Sequence, residues 1–182
     1  MFQRHRSSHV DICLSGGLEK LVSVLKYTDK AQFVAMVTEC IHFLCFQNPD
    51  KKQSVAASSG PHHLVKLLQT SNSEYLTWST ARAIKTLSSC TRNKTSIIEA
   101  GGMQALARHL DVASHRVTEE VLYAMRNLSY AWSGSKIDTM DLILTRIMDI
   151  LARSNNMHLV ACSAGCLSNL TCNNPVRKGS LC

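Results

Sequence analysis

The sequence predicts an all-α fold, an α-α superhelix of about four stacked repeats of roughly 42 residues. The 182 residues include only three prolines and eight glycines, and aromatic residues make up 5%. Turn and ring residues are therefore too scarce for a β-sandwich or barrel. The hydrophobic content of 45% is that of a folded globular or repeat protein. The third observation is a regular spacing of leucines along the whole chain.

Two independent columns of leucines define the repeat. Aligning the segments CIHFLCF, AIKTLSS, AMRNLSY and CLSNLTC places Leu44, Leu87, Leu128 and Leu170 in one column, with separations of 43, 41 and 42 residues. A second column, with separations of 43, 42 and 41, contains Leu25, Leu68, Leu110 and Leu151. A period near 42 is typical of the armadillo and HEAT classes, whose units of two or three helices bury their apolar faces by stacking.

Turn and capping residues predict three helices in a repeat. Asn48-Pro49 begins the first helix, because Asn can cap free amides and Pro needs no donor at the first helical position. Ser59-Gly60, and Gly101-Gly102 in the next repeat, supply the left-handed or permissive positions that end a short first helix.

The third helix of the same repeat is predicted from about Asn72 to Cys90. Ser71 and Glu74 have the spacing of a capping box at its start. One face of this helix carries an aromatic residue and two cations, Trp78, Arg82 and Lys85. The next repeat has a similar arrangement at Tyr123, Arg126 and Tyr130. The third helices are therefore predicted to carry a stripe of aromatic and basic side chains.

The leucine columns divide the chain into six segments. Residues 1–15 are predicted to hold the end of one repeat and the first helix of the next, and residues 16–47 its second and third helices. Three repeats then follow at 48–92, 93–132 and 133–173, and residues 174–182 begin another. Repeat arrays need polar units at their ends. Since neither end of this chain has one, we expect a solenoid truncated at both ends.

Charge and cysteine content limit the classes of partner. Lys and Arg total 20 against 13 Asp and Glu, a formal net charge of +7. This favours acidic partners and leaves both nucleic acid and acidic peptides open.

The sequence contains no apolar run long enough to span a membrane. The eight cysteines include no Cys-x-x-Cys pair, so they predict a reducing intracellular compartment, with core packing at Cys162, Cys166 and Cys172 rather than a metal site.

Three longer segments resemble the central armadillo repeats of the β-catenin family, which includes plakoglobin. They are NKTSIIEAGGMQALARHL (93–110), RNLSYA (126–131) and CSAGCLSNLTCNN (162–174). The similarity extends from about Gly16 to Lys178. It implies a right-handed superhelix whose third helices line a concave, basic groove. In the family this groove holds extended segments of cadherin cytoplasmic tails, T-cell factor/lymphoid enhancer factor, axin and the adenomatous polyposis coli protein.

The resemblance also implies which residues line the groove. The matching positions are Phe46, Lys52, Trp78, Arg82, Lys85, Arg116, Arg126, Asn127, Asn169, Asn173 and Lys178. Tyr123 and His158 occupy groove positions where the vertebrate-like proteins carry tryptophan and asparagine, and Tyr75 replaces a lysine. Gln47 and Pro49 alter the loop before Lys52. These departures indicate a divergent member of the family with altered partner preference.

The residue types in the predicted groove suit an extended acidic peptide. Asn127 and Asn169 fall in one column, and short amide side chains can bind the unpaired main-chain groups of an extended strand. Arg82, Arg116 and Arg126 can hold a carboxylate with two parallel bonds, whereas Lys52 and Lys178 offer point charges. Structural interpretations remain open: either asparagine could be a satisfied helix residue, and Trp78 could cover core.

The sequence supports no enzyme, metal site or cofactor. His62-His63 and His158 lack a partner at the spacing of a nucleophilic or acid–base site. We predict a monomeric peptide-binding scaffold of the cytoplasm, nucleus and adherens junction, linking cadherin tails to the adhesion machinery and acting as a Wnt-pathway coactivator. Alternatives are a purely junctional plakoglobin-like protein, an importin-α-like transport adaptor and a direct nucleic-acid binder. The importin-α alternative is disfavoured because Arg82 follows Trp78 where those adaptors carry asparagine.

Overall fold

The computed structural model describes residues 16–28, 30–110, 114–132 and 137–172. About 80% of these residues are helical and none forms a strand, which confirms the all-α prediction. Their helices are α1 (Gly17–Val24), α2 (Ala31–Cys45), α3 (Pro49–Ala57), α4 (Gly60–Thr70), α5 (Glu74–Leu87), α6 (Thr91–Glu99), α7 (Gly102–Ala107), α8 (His115–Ser129), α9 (Ile137–Arg153) and α10 (Met157–Cys172).

The helices stack in a regular order. The third helices of successive repeats, α2, α5, α8 and α10, pack side by side in one layer, and we call them the ladder helices. The second helices α1, α4 and α7 and the first helices α3 and α6 pack against this layer. All four leucines of the first column are buried, at 0–6% exposure. The leucine period thus marks the shared core of the stacked units.

The predicted turns between first and second helices form as expected. Asn48 Oδ1 accepts a hydrogen bond from the Lys51 N–H at 3.2 Å, and Pro49 occupies the first turn of α3. Ser59 and Gly101 both adopt left-handed backbone, with φ of 60° and 83°. Gly60 follows Ser59 at a close approach, since a Cβ there would lie 2.5 Å from Val55 Cγ1.

The predicted capping box at the start of the third helix is wrong. Helix α5 begins at Glu74, and its N-cap is Ser73, whose hydroxyl accepts from the Leu76 N–H at 3.4 Å. Ser71 instead accepts a hydrogen bond from the Ser73 N–H at 3.3 Å. Two serines, two residues apart in the sequence, compete for the cap, and the one adjoining the helix occupies it.

The segment 133–173 differs from the earlier repeats in having one long helix before its ladder helix. Helix α9 runs over 17 residues, where the preceding repeats have two shorter helices. The sequence of α9 contains no glycine or proline, so nothing interrupts the helix at the position where Ser59-Gly60 and Gly101-Gly102 turn the chain.

Buried polar side chains join the first two ladder helices. Thr38 donates to Ser79 Oγ at 2.8 Å, and His42 Nδ1 lies 2.6 Å from Thr86 Oγ1. His42 is only 5% exposed. Burial, and to a lesser extent the nearby positive charges of Arg82 and Lys85, lower the pKa of His42 from 6.5 to about 4. The imidazole is therefore neutral at pH 7.

We expect the free energy of unfolding to fall on acidification because of His42. The pKa of this residue is about 4 in the folded state, against 6.5 for an exposed histidine, so the unfolded chain binds more protons between these values. The contribution of His42 to the free energy of unfolding is therefore lost as pH falls from about 6.5 towards 4. The loss is about 2 kcal/mol between pH 7 and 5. Urea unfolding of wild type and His42→Asn across this range measures the difference. Equal slopes in wild type and His42→Asn would refute the assignment.

Candidate functional site

A continuous row of side chains crosses all four ladder helices. Starting from α2, Phe43 contacts Arg82 on α5, and α5 in turn contacts α8 through Trp78 and Lys85. Arg126 on α8 then lies against Gly165 on α10. We call this row the ladder face: Phe43, Trp78, Arg82, Lys85, Arg116, Tyr123, Arg126, Asn127 and Asn169. Eight of these nine residues were predicted from the sequence to line the groove.

Trp78 is the centre of the first part of the ladder face. The Arg116 guanidinium carbon lies 3.6 Å from the centroid of the indole ring, and that of Arg82 lies 5.1 Å away. The negative face of an indole attracts a weakly hydrated guanidinium, so the ring fixes both cations. Trp78 is only 7% exposed. Its ring therefore lies beneath the groove side chains and supports them, and does not form an open contact surface.

Tyr75 closes one side of the Trp78 cluster. Its ring stacks on Trp78 with centroids 5.8 Å apart, and its hydroxyl donates a hydrogen bond to Glu39 Oε1 at 2.7 Å. This hydrogen bond raises the pKa of Tyr75, because ionising the hydroxyl would place two negative charges together. Tyr75 thus brings an aromatic ring and the carboxylate of Glu39 to this end of the ladder face.

Lys85 is already paired within the protein. Its Nζ lies 2.5 Å from Glu120 Oε2 on α8, a close ion pair without the alignment of a directed hydrogen bond. Nζ also lies 5.2 Å from the centroid of the Tyr123 ring. The side chains of Lys85 and Glu120 are 30% and 14% exposed. An acidic ligand therefore meets a lysine whose charge Glu120 largely neutralises.

Arg126 and Tyr123 connect α8 to α10. The Arg126 side chain lies across Gly165, where an added Cβ would approach Arg126 Nε to 2.7 Å. Tyr123 shares a hydrogen bond with Cys162, which raises the pKa of Tyr123. Arg126 itself is exposed, so its guanidinium remains accessible from solvent.

The cysteines of α10 divide into buried and exposed residues. Cys162 and Cys166 are buried as predicted, and burial raises the pKa of both thiols, to about 12 for Cys166. Both thiols are therefore protonated and suited to packing rather than nucleophilic chemistry. Cys172, in the last turn of α10, is exposed, so the prediction that it packs in the core is wrong.

The two asparagines make the same pair of hydrogen bonds one repeat apart. Asn127 Nδ2 donates to Lys85 O at 3.2 Å and to Ser88 Oγ at 3.1 Å. Asn169 Nδ2 donates to Arg126 O at 3.2 Å and to Ser129 Oγ at 3.1 Å. Both protons of each amide are thus used between ladder helices. Each Oδ1 remains as an acceptor for a main-chain N–H of a ligand.

The remaining predicted groove residues lie at the margins or outside the described ranges. Lys52 on α3 donates to Ser89 Oγ at 2.7 Å, beside the end of α5. Phe46 is 56% exposed, with its ring 5.6 Å from that of His42. His158 is exposed in the first turn of α10, in the same repeat position as Tyr75 and Arg116. Asn173 and Lys178 lie outside the described residues.

Three contributors to the ladder face were missed from the sequence. Phe43 could have been found, because it stands one residue before its repeat leucine, in the column of Asn127 and Asn169. Glu120 and Gly165 gave no such signal, since their roles depend on which side chain of the neighbouring helix faces them.

No helix in the described part of the chain is long and apolar enough to cross a membrane.

Similarity to known proteins agrees with this architecture. Residues 90–130 match the family model of the armadillo/β-catenin-like repeat. The chain is 38% identical over 161 residues, 88% of its length, to junction plakoglobin of Xenopus laevis. It is also 38% identical over 175 residues, 96% of its length, to catenin beta of Urechis caupo. The chain spans about a fifth of each relative, 21% in both cases.

A solved structure shows the same arrangement of helices. It comes from work on a conserved phosphorylation switch that controls the interaction between cadherin and β-catenin. The match has a TM-score of 0.87 and 31% sequence identity, and it covers 97% of this chain and 34% of that one. The stacked helices of the present chain are therefore an armadillo-repeat array.

Proposed function

We propose, from the premise that this chain belongs to the β-catenin and plakoglobin family of armadillo-repeat proteins, that its ladder face binds extended acidic peptide segments. The chain acts as a scaffold and carries out no catalysis. The observation that carries this proposal is the pair of guanidiniums, Arg82 and Arg116, held on the Trp78 ring. Fixed planar cations bind carboxylates with little loss of conformational entropy.

The asparagine pair supports the extended form of the ligand. Asn127 and Asn169 each present Oδ1 one repeat apart, while their amide protons hold the ladder helices together. A main chain without secondary structure has free N–H donors at regular intervals, which these oxygens can accept. Carboxylate recognition by the arginines and main-chain recognition by the asparagines together select an extended acidic segment.

Cadherin cytoplasmic tails are the first partner class that we propose. Support comes from the structural similarity to a β-catenin studied for its interaction with cadherin. T-cell factor/lymphoid enhancer factor, axin and the adenomatous polyposis coli protein are proposed to compete for the same groove. This role places the protein at adherens junctions and in the cytoplasm, and as a Wnt-pathway coactivator in the nucleus.

A purely junctional role is the second candidate function. The chain is equally identical, at 38%, to a plakoglobin and to a catenin beta. The name of the first relative, junction plakoglobin, refers to cell junctions. A plakoglobin-like protein would therefore bind cadherin and not T-cell factor. An importin-α-like adaptor is disfavoured on charge, because Arg82 and Arg116 repel basic cargo.

Calorimetry with a cadherin-tail peptide and a T-cell-factor peptide tests the proposed function. We expect both peptides to bind, and binding of the cadherin peptide to survive an excess of duplex DNA. A nucleic-acid binder would instead lose the peptide to DNA and show the steep salt dependence of phosphate neutralisation. Binding of the cadherin peptide alone would favour the junctional role, and binding of neither would refute the groove assignment.

A further inference from the structure

We propose that a basic cleft between the turn after α1 and helix α4 binds a compact phosphate anion. The cleft has two adjoining open parts of about 830 and 1050 Å³, which share Lys26 and His63 in their walls. Lys26 follows α1, and His63 lies in the first turn of α4. None of the residues lining either part belongs to the ladder face, so this site is separate from the groove.

Four basic side chains line the two parts. Lys26, His62 and His63 line the smaller part, and Lys26, His63 and Lys66 line the larger. Among the described residues in these walls, the only carboxylate is Glu99, in the smaller part. The cleft therefore has an excess of positive charge, which attracts a multiply charged anion more strongly than a single carboxylate.

His63 lines both parts of the cleft, so its ring senses the charge within them. Its Nε2 is buried from solvent and makes no hydrogen bond within the described structure. The pKa of His63 is lowered by burial first, and then by Lys26, His62 and Lys66. An anion in the cleft would raise this pKa again, because its negative charge would offset the positive charges of Lys26 and Lys66.

The start of α4 adds a further favourable feature. Ser59 makes no side-chain cap, and the first turn of this eleven-residue helix has no acidic residue. The partial positive charge of the helix N-terminus is therefore not compensated by the protein itself. Together with the lysines, which bind phosphate as point charges, it suits a phosphate dianion.

Titration of the histidine rings by NMR, with and without inorganic phosphate at constant ionic strength, tests the site. We expect phosphate to raise the pKa of His63 by about one unit and to leave that of His158, on an exposed part of α10, unchanged. In Lys26→Ala/Lys66→Ala, the His63 pKa without phosphate should be higher than in wild type, since two positive charges are gone. The shift caused by phosphate should then fall to less than half its wild-type value.

The control variant is Lys51→Ala, a lysine on α3 that lines neither part of the cleft. It should retain the full phosphate shift. No shift in the wild type, or an undiminished shift in the double variant, would overturn the proposal. A parallel titration with phosphatidylcholine vesicles containing a phosphoinositide distinguishes the source of the phosphate. If the pKa of His63 responded to the vesicles but not to inorganic phosphate, the proposal would also be overturned, because the site would then require a membrane surface. Since the ladder face is not involved, peptide binding stays unchanged in either case.

Discussion

Replacing Arg82 and Arg116 together with glutamine is expected to weaken binding of an acidic cadherin-tail peptide by about 3 kcal/mol, more than a hundredfold in Kd. Both guanidiniums contact the Trp78 ring, at 5.1 and 3.6 Å. Loss of both removes the charges that hold a carboxylate and uncovers a buried indole. Calorimetry at two salt concentrations measures the effect, and the salt dependence should decrease along with the affinity.

Lys85→Gln/Glu120→Gln is the matched control for this prediction. It removes the ion pair between Lys85 and Glu120, which are 2.5 Å apart, and leaves the net charge unchanged. We expect peptide affinity to change by less than about 1 kcal/mol, because the two lost charges cancel at the ligand. Arg82→Lys/Arg116→Lys separates charge from shape, because it keeps two cations but loses the planar stack on Trp78. If Lys85→Gln/Glu120→Gln weakened binding as much as the double arginine variant, the Trp78 cluster would not be the main binding position.

The Lys85–Glu120 pair also shows where sequence reasoning reaches its limit. The sequence placed Trp78, Arg82 and Lys85 on one face of a helix; in the structure Arg82 lies over the Trp78 ring, and Trp78 and Lys85 both contact α8. The sequence could not show that Glu120, on the next ladder helix, reaches Lys85. That contact depends on the register between two helices, which the 42-residue period fixes only to within about a helical turn.

Local chemistry was predictable where few residues compete for one position. Asn48 and Pro49 start α3 as expected, because a single Asn-Pro pair stands at that point. Ser71 and Ser73 are both suitable caps, and the spacing to Glu74 favours the one that does not cap the helix. The burial of Trp78 was also open, because a helical aromatic beside two cations fits both a groove and a covered core.

Gly102→Ala is expected to destabilise the protein by about 3 kcal/mol, at the upper end for an overpacked site. A Cβ at this position would lie 2.6 Å from Ile97 O and closer still to Ile97 Cγ2. Ile97 is fully buried at 0% exposure, and its carbonyl belongs to α6. Relief therefore requires α6 and α7 to separate. Urea unfolding followed by circular dichroism gives the change in the midpoint and in the free energy of unfolding.

Gly165→Ala makes the same chemical change where the neighbour can move. Its Cβ would meet the Arg126 side chain, with Nε at 2.7 Å, and a flexible arginine can shift. Replacing glycine within a helix also gains about 1 kcal/mol of helix propensity. We therefore expect Gly165→Ala to be neutral or stabilising while it displaces Arg126 from α10. If both variants lost the same free energy of unfolding, glycine would be needed at both positions for backbone flexibility. A large loss in Gly102→Ala alone would show that the contact with Ile97 causes the destabilisation.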